Sequence, residues 1–346
     1  MGAKSMKRYR DWWTLAVMLA LTLSVAGCTQ PPAASLAQDP TTTPAGEKPR
    51  KTYQDLIVGY AQLGAESEWR SANTVSIKQA AADLGVELKF SDAQQKQENQ
   101  IKAIRSLIAQ KVDVIGIAPL VETGWDDVFR EAKDAGIPII LVDRRAAVSA
   151  DLYVTFIGSD FLEEGRNAAR IMAKLTHGKA NIVELQGTRG SAPANDRYSG
   201  FREILKDYPD MKILDTEDGN FTVAKGKEVM QAFLKTHGKD ITAVFAHNDD
   251  MALGAIQAIE EYGLTPGQDI KIVSVDAARG AFEAMIAGKL NATVECNPLL
   301  GPQFFELALK VVNGEPVPKW IPSQESEFLA SQGADELKQI LATRQY

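Results

Sequence analysis

From Leu56 to Val275, short runs rich in β-branched residues alternate with amphipathic stretches of helical length, and this alternation limits the fold more than any other feature of the chain. It is the pattern of repeated βαβ units around parallel sheets. The first half predicts strands over 56–62, 86–90, 112–118 and 138–142, with helices over 69–84, 97–110 and 125–135 between them. In the helix from Gln97, Ile101, Ile104, Leu107 and Ile108 recur at three- and four-residue spacing, an apolar stripe that must pack on a sheet. The second half repeats the scheme, with strands over 182–185, 213–216, 244–246 and 270–275 and helices over 198–206, 224–234 and 251–262. The expected fold class is α/β, two similar doubly wound parallel-sheet lobes, and 346 residues suffice for two domains at roughly 150 each. Each lobe's last strand is expected to stop at an aspartate, Asp143 in the first and Asp276 in the second. Open parallel sheets bind ligands beyond the carboxyl ends of their strands.

Several functions are excluded by what is missing. The formal charge is −7, so the basic footprint of a nucleic-acid binder is absent. Three histidines and two cysteines in no zinc-type spacing argue against metal chemistry. No Gly-x-Gly-x-x-Gly or P-loop appears, and there is no Gly-x-Ser-x-Gly elbow, so no cofactor and no catalytic residue is expected. His177 and His237 each precede a Gly-Lys pair at an expected helix end, where a cation suits the helix dipole.

Residues 1–27 have the order of an export signal, with Lys4, Lys7, Arg8 and Arg10 ahead of a short apolar run. The run ends on Val25-Ala26-Gly27-Cys28, which resembles the lipobox of bacterial lipoproteins and implies cleavage and lipidation at Cys28. Residues 28–52, poor in large apolar side chains, read as a flexible tether. With Cys28 acylated, Cys296 has no partner, so burial rather than a disulfide must hold the body together.

The polar residues at the strand ends suit a polyol. Carboxylates, forked Arg donors and amides pair hydroxyls, and aromatic rings cover the C–H face. Glu66, Trp69 and Arg70 follow the first strand; the less favoured alternative is a plain helix start, with Ser67 as N-cap and Trp69 in the core. Asp143 and Arg144 follow the fourth strand, where the alternative is a surface turn. In Asp196-Arg197 the aspartate reads as a cap, while Arg197 at a helix start opposes the dipole and so needs another role. Phe221 is a candidate ring with core packing as the alternative. In His247-Asn248-Asp249-Asp250, Asp249 is the expected cap and Asn248 the expected ligand group, and Asp276 is a strand-end carboxylate.

These residues sit in stretches that resemble the sugar-binding proteins of ABC importers, in the branch with ribose- and galactose-type receptors and above all its galactofuranose-binding members. The matching stretches are Glu66-Ser67-x-Trp69-Arg70, Asp92 to Ala103, Thr123-Gly124-Trp125, Leu141-x-Asp143-Arg144 and Glu184 to Thr188. They continue through Asp196-Arg197-x-x-Gly200-Phe201, Phe221-Thr222-x-x-Lys225 to Met230, and Ala246 to Met251. The resemblance implies a periplasmic binding protein type I fold, two lobes joined by three crossovers near Gly158, Asn297 and Ser323, with the sugar between them. The lobes would be 53–158 plus 297–323 and 159–296 plus 324–346. Carried over by motif, the ligand residues would be Glu66, Trp69, Arg70, Asp143, Arg144, Arg197, Phe221, Asn248 and Asp276. The implied ligand is a monosaccharide, galactofuranose or a related furanose, and the implied partner an ABC permease, served by an exported monomer anchored through lipid.

Two departures bear on specificity. Cys296 stands where ribose binders carry a glutamine, and Glu68 where the galactofuranose branch has glycine, adding a carboxylate at the cleft mouth. The alternative functions are a sugar receptor for a chemoreceptor or sensor kinase and, less favoured, an exported carbohydrate-active enzyme. An enzyme is disfavoured because arginines beside the cleft carboxylates would lower their pKa. Truncating Arg144 or Arg197 is expected to weaken binding and leave folding intact.

Overall fold

The computed structural model describes residues 49–346, so the signal, Cys28 and nearly all of the expected tether lie outside the described residues. The first sheet begins with β1 (Ile57–Gln62), α1 (Glu68–Leu84), β2 (Glu87–Asp92), α2 (Gln97–Ala109), β3 (Val114–Ile117), α3 (Asp126–Asp134), β4 (Ile139–Val142) and β5 (Thr155–Gly158). The chain then builds a second sheet from α4 (Phe161–Thr176), β6 (Lys179–Gln186), α5 (Ala192–Leu205), β7 (Asp210–Asp218), α6 (Val223–His237), β8 (Ala243–Ala246), α7 (Asp249–Glu261), β9 (Lys271–Asp276), α8 (Arg279–Ile286) and β10 (Ala292–Glu295). It returns to the first lobe as α9 (Gly301–Val312) and β11 (Trp320–Pro322), and ends in the second as β12 (Glu327–Leu329) and α10 (Ala334–Thr343).

The strand orders are β11-β5-β4-β3-β1-β2 and β12-β10-β9-β8-β6-β7. Every pairing is parallel except β12 on β10. In both sheets the order reverses at one strand, β1 or β6, the crevice position at which doubly wound sheets hold ligands. The central strands are buried on both faces, which is why Val114–Ile117 and Ile139–Val142 read as unbroken apolar runs. Each sheet has an apolar cluster on either side, and Trp69 of the first lobe packs in a cluster of the second.

Two expectations are corrected here. Asp143 and Asp276 do end buried strands, but neither strand is the last of its lobe, because β5 follows the first and β10 and β12 the second. These late strands are three or four residues long and carry Thr, Gly, Glu or Pro, too short for a periodicity to show. The helix expected from Tyr198 starts at Ala192, with Pro193 in its first turn, where the missing N–H is no loss. Arg197 is therefore inside α5 rather than at its start, and Asp196 does not cap it.

His177 occupies the left-handed C-cap of α4 and His237 is the last residue of α6, as expected. Helices α4 and α5 meet through glycine. A Cβ on Gly165 would lie 2.3 Å from the Arg197 carbonyl oxygen, and one on Gly200 2.0 Å from that of Leu162. This contact sets the height of Arg197 above the sheet. Gly200→Ala should force the helices apart, costing about 1–3 kcal/mol and lowering the thermal midpoint; an unchanged midpoint would show that the contact is not tight.

Candidate functional site

The loops after β1, β4, β6, β7, β8 and β9, with the passage after β10, converge on one pocket between the lobes. It is lined by Glu66, Ser67, Trp69, Arg70, Asp143 and Arg144 from the first lobe. Phe161, Pro193, Arg197, Phe221, Asn248 and Asp276 face them from the second, with Cys296 between, around ≈ 280 Å³ of empty space. All nine residues singled out from the sequence meet there. Ser67, Phe161, Pro193 and Cys296 also line the wall beyond what the sequence singles out; Phe161 is the first residue of α4 and packs as an apolar core residue, so nothing in its type marks it as a pocket wall.

Three guanidinium groups are held by buried acids. Arg70 donates through Nη2 to Asp143 at 2.5 Å and through Nε to Glu66 at 3.2 Å, and lies 4.6 Å over the Trp69 ring. Arg144 donates to the Leu120 carbonyl at 3.0 Å and lies 5.2 Å over Phe221. Burial and the neighbouring Arg70 press its pKa down to about 10. Arg197 donates to Glu164 at 2.7 Å and to the His247 carbonyl at 2.5 Å, with Asp276 at 3.7 Å. Burial opposes its charge, yet Glu164 and Asp276 raise its pKa overall. Arg197→Ala would strand a buried Glu164, a loss of about 3–5 kcal/mol in folding, so the expectation that this truncation spares the fold is corrected.

Two wall atoms stay unpaired. Glu66 Oε2, an acceptor, and Arg144 Nε, a donor, are buried without a hydrogen-bond partner. Native interiors seldom leave such atoms unpaired, and a polar ligand that offers both a donor and an acceptor would satisfy them. The backbone is strained at the same place. Asp143, Phe221 and Asp276 have φ of 65°, 60° and 125°, conformations that cost non-glycine residues about 1–3 kcal/mol each and gather at ligand sites.

The local assignments around α1 and α7 sharpen the picture. Ser67 caps α1 by accepting from Arg70 N at 3.1 Å, while Trp69 lines the pocket and donates to the Cys296 carbonyl at 2.6 Å, so the two readings of this stretch both hold. Asn248, not Asp249, caps α7, accepting from Met251 N at 3.0 Å and donating to the Phe221 carbonyl. Asp249 is occupied by Ser274, Thr293 and Ala278 N and stays out of the pocket. Asp196 pairs with Arg145 across the cleft mouth. Glu68 is not a wall residue; its N–H donates to Asp250 and its carboxylate accepts from Gly280 N at 3.4 Å, joining the lobes.

The expectation that arginine lowers every cleft carboxylate fails at Asp276. Burial drives its pKa well up against the pull of Arg197, and the like charges of Asp249, Asp250 and Glu164 add to the rise. Cys296 is a buried free thiol, also pushed up by burial. His247, held between Glu184 and Gly187 N, has its pKa depressed by burial against the pull of Glu184.

The fold and this cleft define a two-lobed solute receptor, and the chain belongs to the periplasmic binding protein domain family, whose profile matches residues 58–316. It is 46% identical to the galactofuranose-binding protein YtfQ of Escherichia coli K12, over 82% of this chain and 91% of that one. Among solved structures, a Mycobacterium smegmatis protein in complex with β-D-fucofuranose superposes with a TM-score of 0.81 at 52% identity, covering 84% of this chain and 95% of that one. The binding component of the arabinose ABC transporter of Shewanella sp. ANA-3, bound to α- and β-L-arabinofuranose, gives 0.80 at 46%, covering 84% and 99%. Such a family works outside the cytoplasmic membrane, and no helix among the described residues is long and apolar enough to cross one.

Burial raises both Asp249 and Asp250 to about 7. From pH 6.5 to about 8 the folded chain holds protons that the unfolded chain, with carboxyls near 4, has already lost, so stability must fall as pH rises. Below 6.5 the depressed His247 acts in the opposite sense. Glu325, raised to about 9, and Asp276 act in the same sense, so the expected loss across that window is on the order of a few kcal/mol, and Asp250→Asn should reduce it without abolishing it. Thermal melts at several pH values check this; a midpoint that climbs toward pH 8 would contradict it.

Proposed function

We propose that this protein is a non-catalytic extracytoplasmic receptor that captures a monosaccharide in its furanose form, galactofuranose or a close relative, and hands it to an ABC permease. The observation that carries the reading is the pair of unpaired buried atoms, Glu66 Oε2 and Arg144 Nε, in a small pocket with Trp69 and Phe221 among its walls. A ring hydroxyl is at once donor and acceptor and can meet both, while an indole and a phenyl ring suit the C–H faces of a sugar. Arg70, Asp143, Arg197, Asn248 and Asp276 would hold the remaining hydroxyls. Cys296 offers a weakly polar thiol where ribose binders have an amide, which favours a ring that asks for no hydrogen bond there. The furanose ligands of the similar structures support the same ring size.

Binding without chemistry is the better reading, because Glu66 and Asp143 are engaged by buried guanidinium groups rather than set in an acid–base pair. The receptor would work as a monomer, with both lobes contributing to one ligand. The N-terminal sequence supports an exported form tethered to the membrane through lipidated Cys28.

Calorimetric titration with galactofuranose, fucofuranose, arabinofuranose, ribose and glucopyranose tests the ligand. A furanose of the galacto type should bind at least about tenfold tighter than ribose or glucopyranose. Arg144→Ala should weaken it by roughly 30- to 1,000-fold, and Trp69→Ala should weaken it through lost ring cover. A pyranose as the tightest ligand would overturn the furanose assignment, and binding of amino acids or peptides in place of any sugar would overturn the receptor class. Cys28→Ser should release the protein from the membrane fraction or leave the precursor uncleaved. A parent protein found soluble and unlipidated would refute the anchor.

A further inference from the structure

Three passages of chain join the lobes, after Gly158, after Glu295 and after Pro322, and their side chains meet behind the sugar pocket. Glu325 on the third passage accepts a hydrogen bond from Ser159 Oγ on the first and from Asn297 N at 3.2 Å on the second. Cys296 Sγ lies 3.3 Å from the same Ser159 hydroxyl. Glu164, on α4, completes the group. One oxygen each of Glu164 and Glu325 and the Cys296 sulfur all lie within 4.8 Å of one another.

We propose that Glu164, Cys296 and Glu325 form a binding site for a thiophilic divalent cation, zinc by its chemistry, at the hinge between the lobes. Glu164 supplies the independent sign of a ligand. It is 2% exposed, Oε2 is taken by Arg197, and Oε1 is buried with no hydrogen-bond partner. Apart from Arg197, the one donor beside this carboxylate is the weakly donating Cys296 thiol, and a cation within reach of all three ligand atoms would replace that poor contact with a strong one.

Access and charge fit as well. Glu164 and Glu325 form part of the wall of an open cavity of ≈ 970 Å³ on the outer side of the hinge, together with the carboxylates of Asp160, Glu163 and Glu327. This acidic vestibule would concentrate cations at the entrance. Inside, three anionic ligands would balance the two charges of the ion and the one of Arg197. Binding the ion would release the Cys296 thiol proton, and any proton on the two carboxyls, to solvent.

The donor set selects the metal. Calcium and magnesium require six or more oxygens, whereas one thiolate with two carboxylates suits zinc, which is satisfied by four ligands. A water or the Ser159 hydroxyl would fill the fourth position. Tetrahedral zinc sets its ligand atoms ~3.3–3.8 Å apart, so these side chains need move only slightly. Their positions in sequence, 164, 296 and 325, explain why no spacing motif announces them.

The test uses the full chain, stripped with a chelator and titrated with zinc chloride. One zinc per chain should bind and raise the thermal midpoint, with excess calcium or magnesium failing to compete. Cobalt in its place should show the sulfur-to-metal charge-transfer absorption that only a thiolate ligand produces. Cys296→Ser should abolish that band, Glu325→Gln should weaken zinc at least about tenfold, and Cys28→Ser should leave both unchanged, with circular dichroism verifying that each variant is folded. Substoichiometric zinc, a cobalt spectrum without the sulfur band, or equal binding by folded Cys296→Ser would overturn the proposal. These readouts need no sugar, so they fail or succeed independently of the proposed ligand.

Discussion

Three guanidinium groups buried between the lobes set the terms for the rest of this structure. Arg70, Arg144 and Arg197 are each 2–3% exposed. Removing such charges from water is tolerable only where acids and carbonyls meet them in good geometry. Glu66, Asp143, Glu164 and Asp276 supply the acids, and the Leu120 and His247 carbonyls supply the rest. The strained backbone at Asp143 and Asp276 lies at these same acids. The arrangement leaves two polar atoms unpaired at the pocket wall, and a site of this kind discriminates strongly, because a ligand that misplaces one hydroxyl keeps them unpaired.

The links that hold the lobes together over this charge cluster are mostly polar. Glu68 N meets Asp250, Gly280 N meets Glu68, Arg145 meets Asp196, and Asn195 donates to Glu122 at 2.6 Å. Such partly exposed contacts contribute little each, which suits lobes that must part to admit and release a ligand. Trp69 differs: its ring packs with the second lobe's apolar cluster and its indole N–H reaches the Cys296 carbonyl on a passage between lobes. Ring cover of the pocket and closure of the lobes are therefore tied to one side chain. The passages themselves are drawn together by Glu325, and Cys296 belongs both to this hinge and to the pocket wall.

Residue identity and position alone determined much of this protein. The strands were legible because central strands of parallel sheets are buried on both faces, and the site residues because they cluster just beyond strand ends in quotable motifs. Local competition between caps was legible only in part. Asn248 and Asp249 are both good caps, and the choice fell to Asn248 because Ser274, Thr293 and Ala278 N, distant in sequence, had already claimed Asp249. Asp196 and Arg197 were misplaced within their helix because Pro193 starts α5 a turn and a half earlier than the apolar pattern does.

What only the tertiary structure decided are the properties that depend on distances between elements remote in sequence. Sequence order cannot say that Arg197 stands 3.7 Å from Asp276, that Glu66 keeps one oxygen unpaired, or that the pKa of Asp276 rises despite its arginine. Nor can it bring Glu164, Cys296 and Glu325 to one point. Each depends on burial and Coulomb interaction among residues tens to more than a hundred positions apart, and both fall off with separation in space, which chain position does not encode.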